Sequence, residues 1–473
     1  MSASFPHSLR SIRRRECLQI GSSGLLGLSL GQLVKLKALQ ASNPTHAPAQ
    51  RAQSCLFVFL FGGPSHIDLW DMKPQAPAEI RGEFQPISTR VPGVSICEHL
   101  PQLAKCLDHF CLLRSMTHGM NVHGPACSEV YSGRPYFGPP VTDQATPQDW
   151  PSLASLVSRF GSSSADLPPS IVLPAWSHFV GQTKRIAGQS GGRMGEQWNP
   201  LLIEGNPQQA DFEVPGLNLP EDVSLQRLQL RQRLRESLNS VDQDVFRAVP
   251  SANQLDSHYA AATELIQRSQ SANVFAIEQE TAAVRQRYGM TKFGQSLLLA
   301  RRVVEAGVPL VTVNWEDESR FDKVSPQWDT HHHNFTKLKD NLCPVFDQAF
   351  SALIEDLAQR GLLESTLVVA LGEFGRTPKI GVITQNNMTE KTGRDHWPHA
   401  FTALIAGGGV RGGQVYGATT ENGGYVADQP VTPADLCATV LHHLGIDPGL
   451  TYDDQFQNVS RVLSEGRVVT DLK

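Results

Sequence analysis

No Cys-x-x-Cys pair occurs in this 473-residue chain, so neither a zinc ribbon nor a thioredoxin-type redox motif is expected. Basic excess is missing too: 41 Lys and Arg face 46 Asp and Glu, for a formal net charge of −5. Binding nucleic acid requires cations to neutralise phosphates, and the bulk composition does not supply them. No internal repeat or long low-complexity tract is present, and no heptad is sustained enough for a coiled coil. What remains is ordinary globular composition, 40% hydrophobic and 18% charged, in a length that fits one large α/β domain with insertions. Of the eight cysteines, seven lie beyond Cys17, an odd number that leaves at least one unpaired within the chain. Cys97, Cys106, Cys111 and Cys127 could hold a disulfide or could be small buried hydrophobes.

The N-terminus has the order of a targeting segment. Arg14-Arg15 is followed by Glu16, the apolar pair Cys17-Leu18, and a Gly- and Ser-interrupted apolar stretch from Ile20 to Val34. That stretch is shorter than the ~20 residues of a membrane helix, so no stable span is expected. The segment resembles a twin-arginine signal, with Ala47-Pro48-Ala49 or Ala41 as cleavage points. The expected organisation is a signal peptide and linker over 1–49 and a single α/β domain over 50–473. The expected location is periplasmic or extracellular, with the twin-arginine translocase as a transient partner.

In the mature part, SCLFVFLF (54–61) reads as a buried strand ended by Gly62-Gly63-Pro64. Residues 98–109 read as a helix, and Cys111–Arg114 and Ile171–Pro174 as strands. A Gly-, Pro- and Asn-rich stretch from Trp176, followed by polar helical sequence over 221–290, reads as an insertion at about 176–290. From Phe293 onward apolar strands alternate with amphipathic helices. The helices are expected to stop at Gly307, Gly361 (after a continuous helix over 338–360) and Gly445. This alternation predicts a mostly parallel sheet with helices on both faces and ligands beyond the carboxyl ends of the strands.

Polar motifs cluster at those ends. FGGPSHIDLWD offers His66, Asp68 and Asp71; the segment after the second strand offers His118 and His123. WDTHHHN offers Asp329 and His331-His332-His333, of which one or two can converge on a point. GEFGRTP offers Glu373 and Arg376, and GRDHWPH offers Arg394, Asp395 and His396. Imidazole and carboxylate ligands together suit a divalent metal: zinc first, then manganese, magnesium or calcium.

These motifs, with the twin-arginine leader, resemble the DUF1501 family, proteins common in planctomycetes and often labelled sulfatase-like. The resemblance covers about 54–460. The family is similar to the alkaline-phosphatase superfamily, which implies an alkaline-phosphatase/sulfatase-like scaffold. It also implies a metal site in which Asp329-x-x-x-His333 binds one ion, Glu373 stands at a ligand Asp, Phe374 at a ligand His, and His396 at a second His. It implies activity on phosphate or sulfate esters of a small molecule or polysaccharide. The full expected ligand set is His66, Asp68, Asp329, His333, Glu373, Asp395 and His396. His118 or His123 is expected as ligand, base or nucleophile, and Arg376 or Arg394 as oxyanion holder. The sequence departs from the superfamily at three places. Phe61-Gly62-Gly63 replaces a strand-end Asp, for which His66 or Asp68 would substitute. The motif Cys-x-Pro-x-Arg is absent, and Phe374 cannot bind metal. A non-catalytic metal- or ligand-binding member therefore stands beside the hydrolase, as does an envelope interaction protein docking through 221–290.

Overall fold

Strand formation follows the apolar runs. In the computed structural model, which describes residues 52–138, 144–163, 167–179, 185–214, 223–241, 263, 266, 273–384 and 391–472, eight strands make one sheet. They are β1 (Ser54–Phe59), β2 (Phe110–Met116), β3 (Ser170–Leu173), β4 (Leu201–Leu202), β5 (Leu310–Asn314), β6 (Thr366–Leu371), β7 (Phe401–Ala406) and β8 (Gln414–Tyr416). Their order is β8-β2-β7-β6-β1-β5-β3-β4. All neighbours pair in parallel except at β7, which runs antiparallel to both β2 and β6. The fold is thus α/β with a mostly parallel sheet.

Burial of β1 on both faces explains its unbroken hydrophobicity. Leu56, Val58 and Leu60 join one core with Leu297 and Leu298 of α3 (Lys292–Glu305) and Phe346 and Phe350 of α4 (Cys343–Gln359). Cys55, Phe57 and Phe59 face the other core, with Tyr131 of α1 (His123–Ser132), Val157 of α2 (Leu153–Phe160) and Val440 of α5 (Pro433–His443). Each such side chain contributes about 1.5–3 kcal/mol on burial, so the two layers are held independently of any ligand.

The helix stops at Gly307, Gly361 and Gly445 are present, each at positive φ. The long helix over 338–360 is not continuous. Asn334–Lys337 is α-helical, Leu338–Leu342 forms a π turn, and α4 begins at Cys343. Pro344 lacks the N–H that an unbroken α-helix would need there. The helix over 98–109 is two pieces, Pro101–Lys105 and the 3₁₀ turn Leu107–His109. Inside 176–290, Leu201-Leu202 pairs with Ile171-Val172 and so extends the main sheet. Helix Leu225–Val241 is present in the polar region, with Leu230 and Leu234 exposed. The leader and most of 242–272 lie outside the described residues.

All seven cysteines from Cys55 to Cys437 are buried and none forms a disulfide among the described residues, so Cys97, Cys106, Cys111 and Cys127 are small buried side chains rather than a bridge. Burial pushes the thiols of Cys97, Cys106, Cys111 and Cys437 up to about 12. A protonated thiol is neither nucleophile nor ligand. Site-resolved alkylation should leave all seven unmodified in native protein at pH 8 and modify all of them in denaturant. Rapid native labelling of any one would show that its burial is not maintained.

Candidate metal centre

The edge formed by the carboxyl ends of β1, β2, β5 and β6 collects the polar motifs. Because β7 is antiparallel, the residues that precede it, 393–400, arrive at the same edge. Asp329 and His331 come from the loop after β5, His123 from the first turn of α1, and His396 from the approach to β7. These four offer ligand atoms that all lie within 4.8 Å of one another, and all four residues are buried.

The hydrogen-bond partners fix where the lone pairs sit. His396 Nδ1 lies 2.7 Å from the Asn121 carbonyl oxygen, which can only accept, so Nδ1 carries the proton and Nε2 the lone pair. His123 Nδ1 donates to Glu373 Oε1 at 2.5 Å, and its buried Nε2 has no hydrogen-bond partner of acceptable geometry. His331 Nδ1 faces Asp395 Oδ1 at 3.5 Å. Each imidazole therefore has an acceptor on its far side and turns Nε2 inward, the arrangement that orients metal-binding histidines.

Inward distances agree with this. His331 Nε2 is 3.0 Å from His396 Nε2 and 3.0 Å from Asp329 Oδ1. His396 Nε2 is 3.3 Å from Asp329 Oδ1, and His123 Nε2 is 3.1 Å from Asp329 Oδ2. Tetrahedral zinc with bonds near 2.0–2.2 Å places its ligand atoms about 3.3–3.6 Å apart. The donor set and spacing fit a divalent ion.

Electrostatics support the same point. Burial opposes charge on Asp329, but the Arg376 guanidinium and His123 hold its carboxyl well below the usual range. Burial, with the neighbouring His123 charge, takes His396 down to about 3, so it is neutral. Burial also opposes charge on His123, yet Asp329 and Glu373 raise it to about 9. Without a metal, the proton on His123 supplies positive charge to the cluster; a metal would displace it.

Of the expected ligands, Asp329 and His396 are in the cluster. Glu373 and Asp395 stand one layer back. Glu373 accepts the Gly62 N–H at 2.9 and 3.1 Å on its two oxygens and orients His123. Asp395 accepts from the backbone N–H groups of Thr384 and His396 and backs His331. His333 is exposed, with φ of 52°, and His331 takes the place expected for it. The turn at His333 and the one at Gln327, also at 52°, place residue 331 inward. Nothing in a run of three histidines marks which one that is.

His66 and Asp68 do not reach the cluster. A Cβ at Gly62 would stand 2.3 Å from the Asp329 backbone nitrogen, so the 328–329 backbone fills the space a strand-end side chain would use. His66 Nε2 instead pairs with the Gly423 carbonyl. Asp68 accepts from Arg394 at 2.7 and 2.8 Å, from Ser65 Oγ at 2.6 Å and from Asn334 Nδ2 at 2.9 Å, which uses its acceptor capacity. Its pair with Arg394 is fully buried and bidentate.

Arg376 is also fully buried. It donates to the Gly62 and Gly63 carbonyls and, at 2.5 Å, to Asp329 Oδ1, so it positions the ligand carboxylate rather than waiting for an oxyanion. His118 has both nitrogens engaged, Nε2 with the Glu373 carbonyl at 2.6 Å and Nδ1 with the Met120 N–H at 3.0 Å. Burial lowers it to about 4, and it is a neutral strut, not a base. Phe374, whose ring centroid lies 4.5 Å from His396 and 5.0 Å from His123, walls the imidazoles with Phe61.

Residues 52–472 match the model of a family described as a protein of unknown function, DUF1501. The chain belongs to the DUF1501 family. No curated protein matches this DUF1501 chain. Among solved structures it is similar to the PsFucS1 sulfatase from Pseudoalteromonas sp., at 13% identity over 92% of this chain and 76% of that one, with a TM-score of 0.36. It is similar to the phosphonate monoester hydrolase SpPMH from Silicibacter pomeroyi, at 12% identity over 88% and 75%, TM-score 0.37. A third is an alkaline-phosphatase-superfamily protein from Vibrio parahaemolyticus, at 10% identity over 89% and 76%, TM-score 0.36.

Removing either partner of the Asp68–Arg394 pair strands a buried charge. Asp68→Ala and Arg394→Ala should each lower the unfolding free energy by about 3–5 kcal/mol. The double variant should cost less than their sum. Denaturant titration measures this; single losses under about 1 kcal/mol would mean the pair is dispensable.

Proposed function

We propose that this DUF1501 protein is an exported, metal-dependent hydrolase of phosphate or sulfate esters. The observation that carries the reading is the convergence of three imidazoles and the Asp329 carboxylate on one point, each imidazole held from behind. A divalent ion held there would act as a Lewis acid toward an ester oxygen and make water more acidic. Zinc suits the set best, with manganese next; magnesium and calcium prefer more oxygen ligands. The chain's own contribution is orientation. Arg376 holds Asp329, Glu373 holds His123, and the Asn121 carbonyl fixes the His396 tautomer. Among the described residues, none of His123, Asp329 and His396 hydrogen-bonds to a serine, threonine or cysteine side chain, so this reading uses water as the attacking group.

One observation favours a second reading, a metal-binding member without turnover. Four protein ligands would fill all the positions of a four-coordinate ion, and their side chains are 12%, 7%, 3% and 4% exposed for His123, Asp329, His331 and His396. Closed sites of that kind are structural more often than catalytic.

Elemental analysis of purified protein beside an Asp329→Ala/His396→Ala variant separates these readings. About one ion per chain, lost in the variant, is expected, together with aryl phosphate or aryl sulfate turnover that a chelator abolishes. Metal without turnover on any ester would leave the second reading. No metal after incubation with zinc, manganese and magnesium would end both.

Export rests on the order of the leader residues around Arg14-Arg15. No helix among the described residues is long and apolar enough to cross a membrane. Replacing Arg14-Arg15 with Lys-Lys should retain a leader–reporter fusion in the cytoplasm; undiminished export would exclude the twin-arginine route.

A further inference from the structure

The segment 117–122 joins β2 to α1 and straps the metal centre from outside. It starts at two backbone bonds, from the Thr117 N–H to the Val431 carbonyl and from the His118 N–H to the Pro398 carbonyl. His118 Nε2 donates to the Glu373 carbonyl at 2.6 Å, and the Asn121 carbonyl accepts from His396 Nδ1 at 2.7 Å. Between these points one internal bond closes the strap, from the Met120 N–H to His118 Nδ1 at 3.0 Å. Gly119, beside that bond, is exposed, and a Cβ there would meet nothing within 4 Å. The strap therefore has room to lift, and half-exposed hydrogen bonds of this kind open locally without global unfolding.

Glu129, farther along α1, abuts the strap. Its Oε2 is buried, has no hydrogen-bond partner among the described residues and stands 3.9 Å from His118 Nδ1. That nitrogen has no proton to offer. The Glu373 carbonyl can only accept, so the His118 proton is on Nε2, and Nδ1 is the acceptor for Met120. An ionised Glu129 would set one acceptor against another.

Neighbouring charges do not relieve this. α1 packs against α2 and α5. Arg159 of α2 lies over the Phe160 and Trp198 rings, Asp435 closes the α5 capping box, His443 pairs with the Gly408 carbonyl, and His442 is exposed. On the strap side, His399 acts on His118, and His123 is held by Asp329 and Glu373. Burial alone therefore governs the Glu129 carboxyl and pushes it up to about 7.

We propose that the 117–122 strap is a pH latch on the metal centre, shut while Glu129 keeps its proton and released when that proton leaves to solvent. Once ionised, Glu129 is a stronger acceptor than a neutral imidazole and competes with His118 for the Met120 N–H. Loss of that bond frees the His118 ring, and with it the strut on Glu373 and the Asn121 acceptor behind His396. The latch belongs to the strap; it needs neither a bound ion nor ester hydrolysis.

Amide hydrogen exchange of the purified protein, read by mass spectrometry on peptides spanning 117–122 from pH 5.5 to 9, tests it. Protection, corrected for the intrinsic exchange rate, should fall about tenfold or more with a midpoint near pH 7. Glu129→Gln keeps the shape without the charge and should keep its protection throughout. Stability is a second readout. The folded chain holds this proton more tightly than the unfolded one, so native stability relative to Glu129→Gln should fall as pH rises from 4.5 to about 7 and level off above. Native protection that is the same at pH 6 and pH 8.5, a fall that persists in Glu129→Gln, or a stability difference equal at every pH overturns the latch. None of these outcomes touches the hydrolase reading, which stands or falls on metal and turnover.

Discussion

The arrangement depends on balancing charge that has been taken out of water. Asp68, Asp329, Glu373 and Asp395 are four carboxylates in one buried region, and Arg376 and Arg394 are its two guanidiniums. Burying an unpaired carboxylate costs several kcal/mol, so two negative charges remain to be met. Asp68 is neutralised by Arg394, and Asp329 leans on Arg376. Glu373 and Asp395 are left with neutral donors and the far sides of two imidazoles. A divalent ion held at the convergence of the Nε2 atoms would balance both charges with all imidazoles neutral. A proton on His123 balances one of them. The second layer thus contributes more than orientation: it creates the field that the centre answers.

The same constraint explains why the loops are tied so tightly. The Gly62 N–H and carbonyl serve opposite signs, the first binding Glu373 and the second Arg376. Its φ of 113° and the 328–329 backbone, which would lie 2.3 Å from an added Cβ, admit no side chain. Gly393 is in a similar position, since a Cβ there would overlap the His331 carbonyl. Close approach of backbones lets β1, the 328–331 loop and the 393–396 segment share one polar cluster. The Arg394 N–H on the Thr330 carbonyl and the Trp328 N–H on the Phe61 carbonyl complete the joint.

Sheet, helix stops and the neighbourhood of the site were legible in the sequence. Strands covered on both faces read as unbroken apolar runs, and glycines at positive φ mark helix ends. Asp329, His123 and His396 stood out because imidazoles and carboxylates recurred beyond strand ends. Other features carried no local signal. The antiparallel sense of β7 comes from its connection, and β4 is two residues in a Gly- and Pro-rich stretch. His331 rather than His333 is selected by left-handed turns at Gln327 and His333, residue types that do not announce them. The roles of Arg376 and His118 are set by backbone carbonyls, which have no identity in sequence.

Whether such a centre turns over substrate depends on its least buried member. His396 is held between the Asn121 carbonyl and the Phe374 ring, His331 faces Asp395, and Asp329 is tied to Arg376. His123 sits at the start of α1 with the most exposed of the four side chains, and its one hydrogen bond on the side away from Asp329 is the short contact to Glu373, with Phe61, Phe179 and Phe374 packed around the ring. With an ion bound, release of His123 would leave three protein ligands, the number found in hydrolytic zinc sites. Retention of His123 would keep four protein ligands, the number found in closed structural sites. The catalytic and non-catalytic readings therefore turn on His123, whose ring Glu373 orients.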